Sequence, residues 1–598
     1  MYAHRAWIDK AIELEPLRLL TPQTLQTFSV EGLLDVALEF FADVLTNFPA
    51  FFTTNDLLSL GDILSSPSAQ NYLSTMKGGD FNSEAMAFAR MLLAYGDATV
   101  QDLAKNLEDP SSRQILQQLL ELLKCEGYAG VEDEVCSQAL EFWQTYTEFV
   151  IDSLFAAEDQ LAPWMDKARQ YVVEVIEACW TKIRLPPADV LASKWDSEAR
   201  TSFKAFRADV EDLLQSSYTI LGIGIFNRFA DLALESHSNG AWLHLEATLF
   251  CINALSDCIA DEDSIDGVLS EIFTSSLFAD MTNQSSIPSK TRRAAVDMIT
   301  KYTSFFERHT EYLPSMLNFL FESLTTPSLT DVAAKAIFTT CSSCRKSLTS
   351  ELNAFLRQYE ALLTWESVEA GTKEKVIGAI AAIIQALPSE EEKMDPLSGL
   401  LCSVETEVHN CINLLSIGKA EEAQLAGLCA LRCLVSMGKA LQVPDEIVID
   451  LDSETPRMSV WAASKGGSIQ AKIVQFLETV TSLMQWDGDI MEAGCQILRT
   501  GYKESAPGPF VFPTKVTADF VLASGLKTAR LDYILDTAGS MLSRHTVGLE
   551  NDMRDAALSF LVHLLSLIRS MEGERKRKII CGKDRLTHTI LRESHYRP

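Results

Sequence analysis

Two cysteines three residues apart, Cys341 and Cys344 in VAAKAIFTTCSSCRKSL (Val332 to Leu348), make the single CxxC of this chain. That spacing can supply half a zinc site, a redox dithiol, or the inner face of a helix. A structural zinc needs four ligands, and neither a second CxxC nor a His at zinc-finger distance accompanies the pair. A redox dithiol opens a helix after a strand, whereas this pair lies late in a helical pattern. Val332, Ala333, Ala336, Ile337, Cys341, Cys344 and Leu348 advance by steps of one, three and four, so they share one stripe. Lys335, Ser343, Arg345 and Lys346 fall elsewhere. The spacing therefore predicts Cys341 and Cys344 as small apolar residues packed between helices, and Cys429 with Cys433, at i and i+4, reads the same way.

Other chemistry is sparse. The nine histidines (His4, His237, His244, His309, His409, His545, His563, His588 and His595) form no HExxH and no close pair suited to a metal. No GxSxG supplies a nucleophile elbow, and LGIGIF and VSMGKA complete neither a dinucleotide nor a P-loop glycine pattern. No catalytic, cofactor-binding or metal residue is assigned, no cofactor is expected, and the chain is not expected to be an enzyme. What remains are acidic runs, LPSEEEKMD (Glu390, Glu391, Glu392, Asp395) and VPDEIVIDLDSETP (Asp445, Glu446, Asp450, Asp452, Glu454), both expected as solvated loops.

The elements that carry these residues are helical. Of 598 residues 47% are hydrophobic, enough for a large core. Apolar residues recur at helical spacing in segments broken by Pro, Gly, Asn and Ser, with strand alternation nearly absent. Segments beginning near Ala241, Lys290, Thr330, Thr372 and Gly418 align at offsets of roughly 40 to 50 residues, the period of HEAT and armadillo helix pairs. Second helices such as YLPSMLNFLFESL and ELNAFLRQYEALL lie between them, the first with Pro314 near its start, where a missing amide proton is harmless. One pair alone leaves an apolar face exposed, so neighbours must stack. The expected fold is all-α, a superhelical solenoid of HEAT/armadillo-like helix pairs.

The thirteen cysteines show no framework of repeated spacings and MYAHRAWIDKAIELEPLRLL is no signal peptide, so free thiols in a reducing compartment are expected. The longest apolar candidate, VIGAIAAIIQALP (Val376 to Pro388), stops short of the roughly 18 residues a membrane helix needs, and no membrane insertion is expected. A net charge of −31 opposes direct nucleic-acid binding and favours basic protein partners. From Glu572 to Pro598 eight Lys or Arg face four acids, leaving −35 on the rest. The organisation read from this is a repeat solenoid over 1–570 and a basic, non-repeat tail over 571–598.

At this point the residues resemble a known family: the importin-β superfamily (β-karyopherins) of nuclear transport receptors, on the branch of importin-thirteen and transportin-three (transportin-SR) with their fungal counterparts. Five stretches carry the resemblance: QALEFWQTYTEFV with Phe142 and Trp143; FKAFRADVEDLLQSSYTILG with Phe206, Arg207, Val210, Asp212 and Leu213; WLHLEATLFCINALSD with Trp242, Glu246, Ala247 and Leu249; VAAKAIFTTCSSCRKSL; and GAIAAIIQALPSEE. Order and spacing, from about residue 20 to about residue 545, carry more than any one stretch. Trp242, Phe206 and Arg207 are read as structural rather than as cargo contacts.

The resemblance implies a receptor that carries protein cargo, here basic, through the nuclear pore under control of Ran-GTP. It further implies grooves between outer helices for Phe-Gly nucleoporins, and residence in nucleus and cytoplasm with passage at the nuclear envelope. The alternative is a helical-repeat scaffold without Ran-dependent transport. Three departures stand out. Members are usually much longer, with Ran-gripping repeats ahead of the region matched, so MYAHRAWIDK resembles a start in mid-solenoid and most of that Ran surface is expected to be missing. The arginine-rich helix of transportin-SR proteins has as its counterpart DIMEAGCQILRTGYKES, with only Arg499 and Lys503 and with Ala493, Gly494 and Gln496 where arginines would serve, which favours the importin-thirteen side. The tail GERKRKIICGKDRLTHTILRESHYRP resembles nothing in the family. ERKRK suits a localisation signal, but the abrupt change favours an artefact of the gene model.

Overall fold

A computed structural model describes residues 4–569, apart from 6, 9–14, 31, 157–161, 260–261, 285, 366–367, 444–459, 463, 505–506 and 545–549. The acidic run from Asp445 to Glu454 and the basic tail therefore lie outside the described residues. Among those described the structure is all-α, with a single isolated β-bridge between Ala129 and Asp133 and no sheet. The chain forms two units, Met1–Lys301 and Tyr302–Pro598. Both are stacks of helix pairs, the HEAT/armadillo-like solenoid architecture that the spacing predicts. Helices of nine or more residues are numbered below.

In the N-terminal unit these are α1 (Leu34–Asn47), α2 (Thr54–Leu64), α3 (Pro67–Lys77), α4 (Ser83–Lys105), α5 (Pro110–Leu122), α6 (Cys136–Ala156), α7 (Met165–Lys182), α8 (Ser197–Leu221), α9 (Ile223–Ser238), α10 (Trp242–Leu255), α11 (Asp266–Thr274) and α12 (Ser289–Lys301). Helices α1, α4, α6, α8, α10 and α12 form one row, each packed on the next, and α5 and α7 lie against it. Local chemistry sets the helix starts. Thr53 and Asp56 close a capping box on α2, and Asn82, Asp109 and Asp196 each accept an amide proton three residues on, at α4, α5 and α8. Gly222, with φ of 58°, takes the left-handed conformation that separates α8 from α9.

The C-terminal unit repeats the plan with α13 (Leu313–Ser323), α14 (Thr330–Ser343), α15 (Leu352–Leu363), α16 (Ala370–Gln385), α17 (Glu390–Ser416), α18 (Ala420–Ala440), α19 (Ser464–Leu483), α20 (Gly488–Thr500), α21 (Thr514–Leu522), α22 (Leu531–Arg544) and α23 (Glu550–Arg569). The row is α14, α16, α18, α20 and α22, and each member also packs on its own partner, α13, α15, α17, α19 and α21. Row helices are covered on most sides. Every residue of α16 from Val376 to Ile384 is buried, so VIGAIAAIIQALP is the centre of the stack rather than an amphipathic or membrane helix. No described helix is long and apolar enough to cross a membrane.

One expectation fails in this unit. LPSEEEKMD is not a loop: Ser389 accepts from the Glu392 amide and starts α17, with Glu390, Glu391 and Glu392 in its first turn. A Ser followed three residues later by Glu is a helix-start signature, and carboxylates there meet the positive end of the helix dipole. Glu390 also accepts from Lys393 (2.7 Å) and from the Trp461 indole (2.9 Å), and Asp395 from Lys465 (2.6 Å). The described residues that flank the segment between α18 and α19 are held by hydrogen bonds. On the near side Gln442 donates to Thr500 O (2.5 Å) and the Val443 amide to Glu504 (3.3 Å), while on the far side Trp461 is held by Glu390. Val443 and Trp461 line one small cavity of about 90 Å³.

Candidate functional site

The N-terminal unit has an open cleft of about 1300 Å³. Its walls are the 123–128 segment, the last turns of α7 with the residues that follow, and the start of α10. A single lysine fixes the first wall. Lys182, in the last turn of α7 and buried, donates to Cys125 O (2.6 Å), Gly127 O (2.7 Å) and Asp133 Oδ2 (2.5 Å). The other oxygen of Asp133 accepts from the amides of Val135 and Cys136, both at 3.0 Å, at the start of α6. Burial pushes the Asp133 carboxyl above its usual range, against the pull of the lysine and the two amides. Gly127 and Gly130, with φ of 106° and 72°, let the chain turn tightly enough to present those carbonyls.

A second buried pair joins α8 to α10. Arg207 of α8 meets Glu246 of α10 bidentately, at 3.0 and 2.9 Å, donates to Ile183 O (3.2 Å), and lies 4.3 Å over the Phe250 ring. The Trp180 indole of α7 donates to Thr248 Oγ1 (2.9 Å), and Arg184 Nη1 lies 2.7 Å from His244 Nε2. Burial, then the Arg184 charge, lowers the His244 pKa, so the ring is held neutral as an acceptor. The cleft is lined by the carboxylates Glu126, Glu132, Glu174 and Glu177 and the rings of Tyr128 and Trp242, with Lys124, Lys182 and Arg184 among them. Tyr128 packs edge-on against Trp195 at 5.2 Å. Such a wall attracts cationic side chains by field and by ring quadrupole. It presents no nucleophile paired with a base, and among the described residues no group of three His, Cys, Asp or Glu could hold a metal.

The residues singled out in the sequence fall as follows. Phe142 and Trp143 are buried edge to face at 5.1 Å. Phe206, Val210, Leu213, Ala247 and Leu249 are core, and Asp212 is exposed. The Arg207–Glu246 pair joins two of the five stretches, and Trp242 forms part of the cleft wall. Cys341 and Cys344 are buried, as are Cys429 and Cys433. Burial drives the Cys341 thiol far up and Cys344 to about 12. In α20, Ala493 and Gly494 face the core, Gln496 donates to Glu492 (3.4 Å), and Arg499 is engaged by Asp536 (3.3 Å) and Tyr533. Lys182 and Asp133 lie 49 residues apart and no periodicity links them; the sequence signal that could have flagged the wall is the Gly- and acid-rich CEGYAGVEDEVC itself.

Comparison with known proteins gives a consistent set of relatives. Residues 280–358 match the family described as the Transportin-3/Importin-13 third TPR domain. The chain is 26% identical over 510 residues to importin beta-like protein kap111 of Schizosaccharomyces pombe, covering 83% of this chain and 50% of that one. It is 20% identical over 519 residues to human importin-13, covering 83% and 51%. It thus spans about half the length of the curated relatives it matches. Among solved structures, importin13 in its cytosolic state superposes with a TM-score of 0.78 at 15% identity, over 98% of this chain and 67% of the other. A crystal structure of importin beta gives 0.53 at 12% identity, over 92% and 65%. These structures share the fold, and the curated relatives are named importins.

Proposed function

We propose, from the chain's likeness to the importin-β superfamily on its importin-13/transportin-3 branch, that it is the repeat region of a nuclear transport receptor that carries basic protein cargo. The observation that carries this reading is the collinear similarity to importins over 83% of the chain. The geometry supports it with a cleft whose carboxylates and aromatic rings suit Lys or Arg side chains of a cargo. Ran in its GTP form releases the cargo by favouring an arrangement of the helix pairs that holds it less well, which requires different affinity for the two arrangements. Phe-Gly nucleoporins bind between neighbouring helices, and the receptor moves between cytoplasm and nucleus through the pore. Repeats that touch only their neighbours suit such a switch.

The test is import of a lysine-rich fluorescent reporter into nuclei of permeabilised cells, with parallel pull-downs on Ran-GTP, Ran-GDP and a Phe-Gly repeat peptide. Import that depends on added chain, is lost on charge reversal at Glu174 and Glu177, and is undone by Ran-GTP supports the reading. A folded chain that drives no import and captures neither Ran-GTP nor the Phe-Gly peptide would be a scaffold, and the proposal would fall.

A further inference from the structure

Four helices of the C-terminal unit meet around a polar cluster. Helix α18 supplies Cys429 and Cys433, one turn apart on its buried side (5% and 3% exposed). Helix α16 supplies Lys373, which donates to Glu407 of α17 (2.5 Å), both side chains mostly buried. Tyr359 of α15 is hydrogen-bonded to Ser403 of α17 and stands next to both cysteines, and Glu374 of α16 adds a second carboxylate. The two thiols are hydrogen-bonded to each other, with Glu407 near both and Lys373 interacting with both. Tyr359 and Ser403 also line an open hollow of about 710 Å³ between α15 and α17, through which small solutes reach the outer side of the cluster.

The other close thiol pair of this unit, Cys341 and Cys344, is as deeply buried (0% and 3% exposed), so the two pairs differ in surroundings rather than in depth. Burial pushes both of those thiols up, and the charge near Cys344 is the carboxylate of Glu307. At Cys429 the hydrogen bond from Cys433 outweighs burial and holds the thiol below its ordinary range, with Lys373 pulling the same way against Glu407 and Glu374. Cys433, the donor of that bond, is driven up. One thiol is thus suited to attack as thiolate while its neighbour keeps its proton, the division between an attacking and a resolving cysteine. Reach fits as well. Residues four apart on a helix have Cα atoms about 6 Å apart, inside the roughly 4.4–6.8 Å that a disulfide spans. Their Cβ atoms start about 5–6 Å apart and must close to about 4 Å, so α18 tightens locally and the bond is strained, which makes it readily reduced again.

We propose that Cys429 and Cys433 are a modification site, oxidised by hydrogen peroxide to a reversible disulfide inside α18. The Cys429 thiolate attacks one peroxide oxygen, the O–O bond breaks, and a sulfenic acid forms while the leaving hydroxide takes up the proton that Cys429 gave up. The Cys433 sulfur then attacks the sulfenic sulfur, an S–S bond replaces the S–O bond, and the second hydroxide leaves as water with the Cys433 proton. Two thiols lose two electrons and the peroxide becomes two waters. The site needs no transport activity and stands apart from the cleft of the N-terminal unit.

The test is peptide mapping of the full chain after hydrogen peroxide, with free thiols blocked by N-ethylmaleimide and trypsin added without reductant. Arg432 lies between the two cysteines, so trypsin parts the reduced pair into two peptides and leaves the oxidised pair joined. The joined species is expected to form at least about tenfold faster than Cys341 or Cys344 is oxidised, and to vanish with dithiothreitol. In Cys433→Ser no joined species should form, and dimedone should capture Cys429 as the sulfenic acid. A chain that stays native by circular dichroism yet yields no joined peptides overturns the proposal, as does joining no faster than oxidation of Cys341 and Cys344, which would report general opening of the fold. Failure of dimedone to label Cys429 in a folded Cys433→Ser overturns the assigned order of attack; should that variant not fold, the wild-type map decides alone.

Discussion

Arg207 and Glu246 form the buried ion pair between α8 and α10 in the N-terminal unit. Removing one partner strands a buried charge, so Arg207→Ala or Glu246→Ala should each cost about 3–5 kcal/mol in urea unfolding, whereas Arg207→Met with Glu246→Leu should cost much less. His244 gives a pH signature. Its folded pKa is lowered, so the unfolded chain binds the proton more readily, and the stability it contributes is complete above the ordinary value near 6.5 and lost as pH falls through the folded value. His244→Gln should therefore lose less stability than wild type between pH 7 and pH 5. The cysteines make the third test: Cys402 is exposed and should be alkylated in the native chain, while Cys341 and Cys344 should label only on unfolding, as mass spectrometry of the modified peptides would show. Rapid native labelling of Cys344 would contradict the packing assigned to the CxxC.

At the scale of elements, glycines with different neighbours should respond oppositely to the same change. A Cβ on Gly501 would lie 2.1 Å from Phe510 O, a backbone atom that cannot swing away, so Gly501→Ala should destabilise by roughly 1–3 kcal/mol. Gly399, inside α17, has nothing within 4 Å of its Cβ position, and Gly399→Ala should add about 0.5–1 kcal/mol by thermal or urea unfolding. Elements were also the most legible level of the sequence. Helices expected near Ala241, Lys290, Thr330, Thr372 and Gly418 begin at Trp242, Ser289, Thr330, Ala370 and Ala420, because the 3.6-residue pattern is local. The start of α17 departs from the expected loop because the Ser389–Glu392 cap outweighs the local density of charge. The cleft was not legible: Arg207 and Glu246 stood out by phase, but their pairing over 39 residues, like that of Lys182 with Asp133, exists only once the pairs stack.

For the whole molecule, a charge of −31 should govern encounter more than grip. Association of a lysine-rich partner, followed by stopped flow, should slow severalfold from about 0.05 to 0.3 M salt as screening shortens the field's reach. A rate indifferent to salt would deny the summed field a role. The segment between α18 and α19 has a different implication, for how such chains vary. Val443 and Trp461, on either side of it, line one cavity and so lie close together. Closure entropy grows only with the logarithm of length, each doubling costing about 0.6 kcal/mol. Length variation among homologues should collect there, and a fluorescent protein or biotin-acceptor tag spliced into it should leave the helix pairs on either side undisturbed.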